Sequence, residues 1–224
     1  MTYVACYIPA MPTLLTLLGT ALLFGMRHAT DPDHVVAVTT IVSRERSVWR
    51  AARIGALWGL GHTVTVVTVG AAVILLRVAI TPRVGLSLEF AVAVMLVVLG
   101  ALNLAAARPG SGLAQWTVPP AVVGLVHGLA GSAAATLLVL ALVPDPRAAM
   151  AALLVFCVGT MLGMALVTAA IAAPASLAAD RVVRLQRGFR IAAGLLSVAF
   201  GLYLAHRIGV GDGLFTATPR WSPA

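Results

Sequence analysis

Long apolar runs dominate the chain, and short segments rich in arginine, glycine and proline separate them. The runs are continuous for about 20 residues, which is the length that an α-helix needs to cross a bilayer. They do not alternate between apolar and polar residues, as the strands of an outer-membrane barrel would. The pattern therefore predicts an all-α membrane protein with about six spans, near residues 13–42, 54–76, 85–107, 120–143, 148–173 and 191–206.

The first predicted span is too long for one straight crossing, and polar residues interrupt it. A helix over 13–42 would be ~45 Å long, against a hydrocarbon core of ~30 Å. Ionisable side chains are costly in hydrocarbon unless they have partners, and this span contains the run Arg27-His28-Ala29-Thr30-Asp31-Pro32-Asp33-His34. Because proline removes a helical hydrogen bond and clashes with the preceding turn, we predict that Pro32 breaks the first helix within this run.

The same run has the chemistry of a site for a divalent cation. Two carboxylates balance two positive charges, and imidazole nitrogens suit nickel, cobalt, zinc and copper. On an unbroken helix His28, Asp31 and His34 share a face, whereas convergence of Asp33 with the two histidines requires an unwound turn. Spacing alone leaves both aspartates as candidates. A simple salt-bridge cluster that includes Arg27 is the structural alternative.

Composition and charge agree with a membrane location. Of the 224 residues 61% are hydrophobic and 10% are charged, so we expect one transmembrane domain over residues 1–224. The formal charge of +8 comes from fifteen arginines, which cluster at the ends of the apolar runs. We interpret them as topology signals facing the lipid bilayer, with no nucleic-acid partner. Nine of them follow spans one, three and five, which places both termini outside the cell.

The two halves of the sequence share a weak internal repeat. Gly25-x-x-His28 in the first span matches Gly124-x-x-His127 in the fourth. Three spans per half would insert the halves with opposite orientation, as in many secondary transporters. We therefore predict two inverted three-helix repeats, over about 11–107 and 119–207, with a binding site between them near the midplane.

The motifs resemble those of the nickel/cobalt transporter family. The run from His28 to His34 matches its H-x4-D-H signature, although Pro32 stands where alanine is usual, and Gly61-His62-Thr63 is similar to its G-H-S/T element. The His-Gly-Leu-Ala-Gly-Ser sequence that begins at His127 resembles the short urease-accessory, UreH-like branch. The resemblance implies uptake of nickel, or alternatively cobalt, with His28, Asp33 and His34 as metal ligands.

The sequence thus predicts a multi-pass transporter of divalent transition-metal ions in the bacterial inner membrane, and not an enzyme. We expect His62 as a fourth ligand, and supporting or pathway roles for Arg27, Asp31, Thr63 and His127. A lone intramembrane histidine such as His62 or His127 can also simply bond a neighbouring helix. An intramembrane metalloenzyme, a metal exporter, an accessory subunit of metalloenzyme maturation and a homo-oligomer remain open alternatives.

Overall fold

The computed structural model describes residues 14–43, 45, 47–107, 118–130, 143, 145–177 and 183–221. These residues form helices without any strand: α1 Leu14–His28, α2 Pro32–Val42, α3 Val48–Leu76, α4 Pro82–Ala106, α5 Pro120–Ala130, α6 Pro146–Leu177 and α7 Val183–His206, with a π-helical turn at Arg207–Gly211. The second part of the fourth predicted span, beyond residue 130, lies outside the described residues. The prediction of an all-α protein is confirmed, and the count of six spans stays a prediction.

The surface of the bundle fits a bilayer. Within the described residues, four apolar helical stretches are long enough to cross one, namely Val48–Leu76, Pro82–Ala106, Pro146–Pro174 and Arg187–Gly211. Large apolar side chains such as Leu15, Leu76 and Leu166 are exposed on the outside of the helices. Hydrocarbon accommodates such side chains, and helices satisfy their own backbone hydrogen bonds there. The chain is therefore a multi-pass α-helical membrane protein.

The first predicted span consists of two helices. α1 ends at His28, and hydrogen bonds from Thr30 N–H to the Arg27 carbonyl (2.8 Å) and from Asp31 N–H to the His28 carbonyl (3.1 Å) close a tight turn. Asp31 has an extended backbone, and Pro32 is the first residue of α2. The N–H of a first helical residue has no partner within the helix, so proline loses no hydrogen bond at this position. Proline thus starts the second helix.

Together α1 and α2 cross the bundle from one end to the other. Ala21 of α1 packs in a cluster with Ala149 near the start of α6, whereas Val42 at the end of α2 packs with Ala172 near the end of α6. The break between the two helices therefore lies midway along α6. This arrangement places the His28 to His34 run at the middle of the bundle.

Glycines set the closest helix contacts at the centre. α6 packs along both α1 and α3, and α5 packs along α3. A Cβ at Gly25 of α1 would collide with the Phe156 carbonyl oxygen of α6, and a Cβ at Gly124 of α5 would collide with the Trp58 carbonyl oxygen of α3. Small residues of this kind let helix backbones approach closely in membranes.

The outer pair, α4 and α7, packs antiparallel through reciprocal glycine contacts. A Cβ at Gly100 of α4 would meet the Gly194 carbonyl oxygen of α7 at 2.6 Å, and a Cβ at Gly201 of α7 would meet the Ala93 carbonyl oxygen of α4 at 2.8 Å. In the first contact the glycine of α4 meets a carbonyl of α7, and in the second the glycine of α7 meets a carbonyl of α4, with the same spacing along each helix. The pair thus has a local two-fold relation.

Two arginine-rich segments that the sequence assigned to loops are partly helical. α3 begins at Val48 instead of residue 54, and α7 begins at Val183 instead of residue 191. The Ser47 hydroxyl caps α3 by accepting the Arg50 N–H at 3.4 Å. Hydropathy marks where hydrocarbon ends, whereas a capped helix continues into the polar region, so the predicted boundaries were wrong by several residues.

Candidate metal centre

Four of the five histidines meet at the break in the first span. His28 ends α1, His34 lies in the first turn of α2, His62 lies near the middle of α3, and His127 lies in α5. Ring centroids are 4.5 Å apart for His28 and His34, 5.4 Å for His62 with either of these, and 4.1 Å for His34 and His127. His34, His62 and His127 are exposed by 1% or less. Residues from both halves of the sequence therefore build one buried imidazole cluster.

The first group within this cluster contains three imidazoles. Nitrogen atoms of His28, His34 and His62 lie within 4.8 Å of one another. Among the described residues, no hydrogen-bond partner reaches Nε2 of His28, Nε2 of His34 or either nitrogen of His62, although all four atoms are buried. Buried polar atoms are costly without a partner, and imidazoles are ligands for nickel and cobalt. The group is therefore suited to hold a transition-metal ion.

Asp31 sets the orientation of His28. Nδ1 of His28 and Oδ2 of Asp31 are 2.7 Å apart. With the proton on Nδ1 the imidazole donates to the carboxylate and keeps the lone pair of Nε2 available to a metal. A ligating histidine held by a carboxylate in this way is a common arrangement in metal sites.

The second group lies around Asp33. Oδ1 of Asp33 is 3.2 Å from Nδ1 of His34 and also accepts the His34 backbone N–H at 3.0 Å. Oδ2 of Asp33 is 3.1 Å from Nε2 of His127, and the same nitrogen is 3.1 Å from Nδ1 of His34. These three side chains also place ligand atoms within 4.8 Å of one another. His34 belongs to both groups.

The structure divides the ligand set that the sequence predicts. It brings His28, His34 and His62 together, and it places Asp33 with His34 and His127. His127, for which the sequence predicted a supporting or pathway role, is in direct contact with Asp33 and His34.

Two other predicted residues lie outside this cluster. Arg27 is exposed, and within the described part of the chain it forms no ion pair, because Asp31 pairs with His28. The Thr63 hydroxyl is buried and, among the described residues, has no hydrogen-bond partner.

Two aromatic residues enclose the cluster and were missed in the sequence. The Trp58 ring lies 5.4 Å from the rings of both His34 and His127, and the Phe156 ring lies 5.5 Å from that of His28. Both rings cover part of the imidazole surface. Trp58 precedes His62 by four residues and so lies on the same face of α3, which is a signal that the sequence carried. Phe156 had no comparable signal, because its contact comes from another helix.

Comparison with known proteins gives a consistent assignment. The model of the NicO family, described as high-affinity nickel-transport protein, matches residues 14–119. The urease accessory protein UreH of Bacillus sp. (strain TB-90) is 35% identical over 219 residues, which cover 90% of this chain and 96% of that protein. The chloroplast protein FOR GROWTH AND FERTILITY 1 of Arabidopsis thaliana is 28% identical over 216 residues and 58% of its length. No solved structure matches significantly.

Proposed function

The chain belongs to the NicO family of high-affinity nickel-transport proteins, and from this we propose that it moves Ni²⁺ across a membrane through the buried histidine cluster. The resemblance to nickel transporters that the motifs indicated is thereby confirmed. Nickel is the primary cargo, with cobalt as the alternative, because imidazole-rich sites bind both ions and nickel more strongly.

One observation supports this function above all others. Three imidazoles with nitrogens that have no hydrogen-bond partner among the described residues meet at the break between α1 and α2, beside α3 and α6, which are long enough to cross a bilayer. Burial of ionisable residues within a membrane costs free energy, and residues retained there mark ion pathways. A broken helix at mid-membrane is also where secondary transporters bind their cargo.

The residues have distinct tasks in binding the ion. His28, His34 and His62 offer nitrogen ligands that replace water molecules of the hydrated cation. The Asp33 carboxylate supplies negative charge beside His34, and Asp31 holds His28 in the ligating tautomer. Trp58 and Phe156 pack against the rings of His34 and His28 and so help to hold these ligands in place.

Alternating exposure of this site fits a fold of two inverted repeats, about 11–107 and 119–207. The matched contacts of Gly25 with α6 and of Gly124 with α3 support this arrangement, as do the reciprocal contacts of α4 with α7. Repeats of this kind move the cargo by rocking one half against the other around a fixed site. The arginine distribution and the bacterial relative support insertion into the bacterial inner membrane with both termini outside.

An intramembrane metalloenzyme fits the site less well. Such an enzyme needs an open metal position and a general base, a role that would fall to the Asp31 carboxylate beside His28. This carboxylate is engaged by His28 at 2.7 Å. An accessory role, as in the name of the relative UreH, is compatible with a transporter that supplies a metalloenzyme with its ion.

Nickel accumulation in intact cells tests this function. His28→Ala and Asp33→Ala should each abolish accumulation, because the first removes a ligand and the second removes the charge that balances the cation, while both proteins remain in the membrane. His206→Ala is the matched control, since His206 is an exposed histidine at the end of α7. Accumulation by either variant at the level of the wild type would refute the proposal.

A further inference from the structure

Resting on the proposed function, we propose that the cluster holds Ni²⁺ at two successive positions that share His34. The first position is formed by His28, His34 and His62. The second is formed by Asp33, His34 and His127. The ion would pass between them during transport, so that His127 becomes a metal ligand instead of a supporting residue.

While the Asp33 carboxylate is ionised, no arrangement of protons on the two histidines satisfies all the contacts of the second group. Nδ1 of His34, Nε2 of His127 and the carboxylate of Asp33 are mutually 3.1–3.2 Å apart. If both nitrogens carry a proton, the two N–H groups face each other. If only one does, the lone pair of the other nitrogen faces a carboxylate oxygen. One of the three contacts is therefore always unfavourable, whereas a cation between the three groups would be attracted by all of them.

The spacing of these atoms is that of neighbouring ligands around a metal ion. Metal–ligand bonds of about 2.1 Å separate ligand atoms by about 3 Å at right angles and by about 3.4 Å at tetrahedral angles. The observed 3.1–3.2 Å lies between these values. His127 and His34 are buried, so the atoms are held in this geometry by helix packing.

His34 can serve both positions because its two nitrogens have different surroundings. Nδ1 contacts Asp33 and His127, while Nε2 is buried and, among the described residues, has no hydrogen-bond partner. The ring nitrogens of an imidazole are distinct ligands. Two divalent ions on one imidazole would repel each other strongly in a buried site, so the positions are occupied in turn.

The two positions differ in chemistry. The first offers three neutral nitrogens, and the second offers two nitrogens and a carboxylate oxygen. An ion that leaves the first for the second exchanges Nε2 of His34 for Nδ1, so the same side chain belongs to the ligand set at both positions. Removal of His62 or of His127 leaves all three ligands of the other position in place, which makes the proposal testable.

The test compares nickel binding and nickel uptake in the purified full chain. His62→Ala should retain one bound nickel per chain with two imidazole ligands, and His127→Ala should retain one with three, as the outer-shell imidazole scattering in X-ray absorption at the nickel edge reports. In proteoliposomes both variants should lose uptake by at least about tenfold. His34→Ala should bind no nickel, and His206→Ala should match the wild type in both measurements.

The outcomes separate this inference from the proposed function. Uptake by His127→Ala at the rate of the wild type, or loss of all bound nickel from either folded single variant, would overturn the two positions and leave the transporter intact. A wild-type chain that takes up no nickel would overturn both. Should an alanine variant fail to elute as a folded protein, His62→Gln and His127→Gln take its place, because an amide fills more of the space and remains polar.

Discussion

The two aspartates of the broken turn contact different histidines. Asp31 lies 2.7 Å from Nδ1 of His28, whereas Asp33 contacts Nδ1 of His34 and Nε2 of His127. Both carboxylates thus contact imidazoles, but among the described residues the Asp33 carboxylate, and not that of Asp31, belongs to a group close enough together to hold a metal ion. In the proposed function Asp31 instead holds the proton on Nδ1 of His28 and leaves Nε2 for the ion.

Asp31→Asn tests this role at the scale of one residue. The amide retains the shape of the side chain but loses the charge that holds the His28 proton on Nδ1, so nickel affinity should fall by about 10–100-fold. Equilibrium dialysis of the purified chain with radioactive nickel measures the change. Asp212→Asn, which alters an exposed pair with Arg207 (3.9 Å), should leave the affinity unchanged. Equal affinities for the Asp31 variant and the wild type would show that Asp31 does not orient a ligand.

Part of this site could be predicted from the sequence, and part of it could not. His28, His34 and His62 were predictable because ionisable residues in long apolar runs need a reason to be there. The separate positions of Asp31 and Asp33 were not predictable, since they depend on the path of the chain through Ala29 and Thr30.

At the scale of helices, the close contact of α1 with α6 fixes the position of His28. Gly25 lies one turn before His28, and its Cα is so near the Phe156 carbonyl oxygen that a side chain has no room. On the same helix, Gly19 has no atom within 4 Å of the place where a Cβ would be. Substitution of alanine for these two glycines should therefore have opposite effects on the stability of the protein.

Gly25→Ala should destabilise the protein by at least about 2 kcal/mol, because the new methyl group must push two backbones apart. Gly19→Ala should be neutral or stabilising by up to about 1 kcal/mol, since alanine is the better helix former. Denaturant unfolding of the purified chain, or the thermal midpoint if unfolding is irreversible, measures both. Equal stability of the two variants would contradict the tight packing of α1 on α6.

The helices themselves were largely predictable, and their ends were not. Pro32 correctly indicated the break in the first span, because proline cannot continue a helix but can begin one. The starts of α3 at Val48 and α7 at Val183 lie beyond the apolar runs from which the spans were predicted. Trp221 packs on Gly85 and donates to Glu89 at 2.8 Å, a contact that local sequence does not indicate.

At the scale of the whole molecule, both ends of the bundle are joined by polar contacts across helices. At one end Asn103 donates to Ser43 at 3.2 Å and to the Arg190 carbonyl at 3.1 Å, which ties the ends of α2 and α4 to α7. At the other, Arg83 donates to the Thr216 carbonyl at 3.0 Å. If one half moves against the other during transport, these contacts must therefore either stay intact or break and form again.

Uptake of radioactive nickel by proteoliposomes that contain only the purified wild-type chain is the most direct test of the transport function. A transporter should accumulate nickel inside the vesicles above the level of empty vesicles, whereas an enzyme or a binding subunit would bind nickel without moving it. His34→Ala, which removes the residue shared by both metal groups, should reduce uptake to the level of empty vesicles. Uptake by the wild-type chain that does not exceed that of empty vesicles would contradict the account.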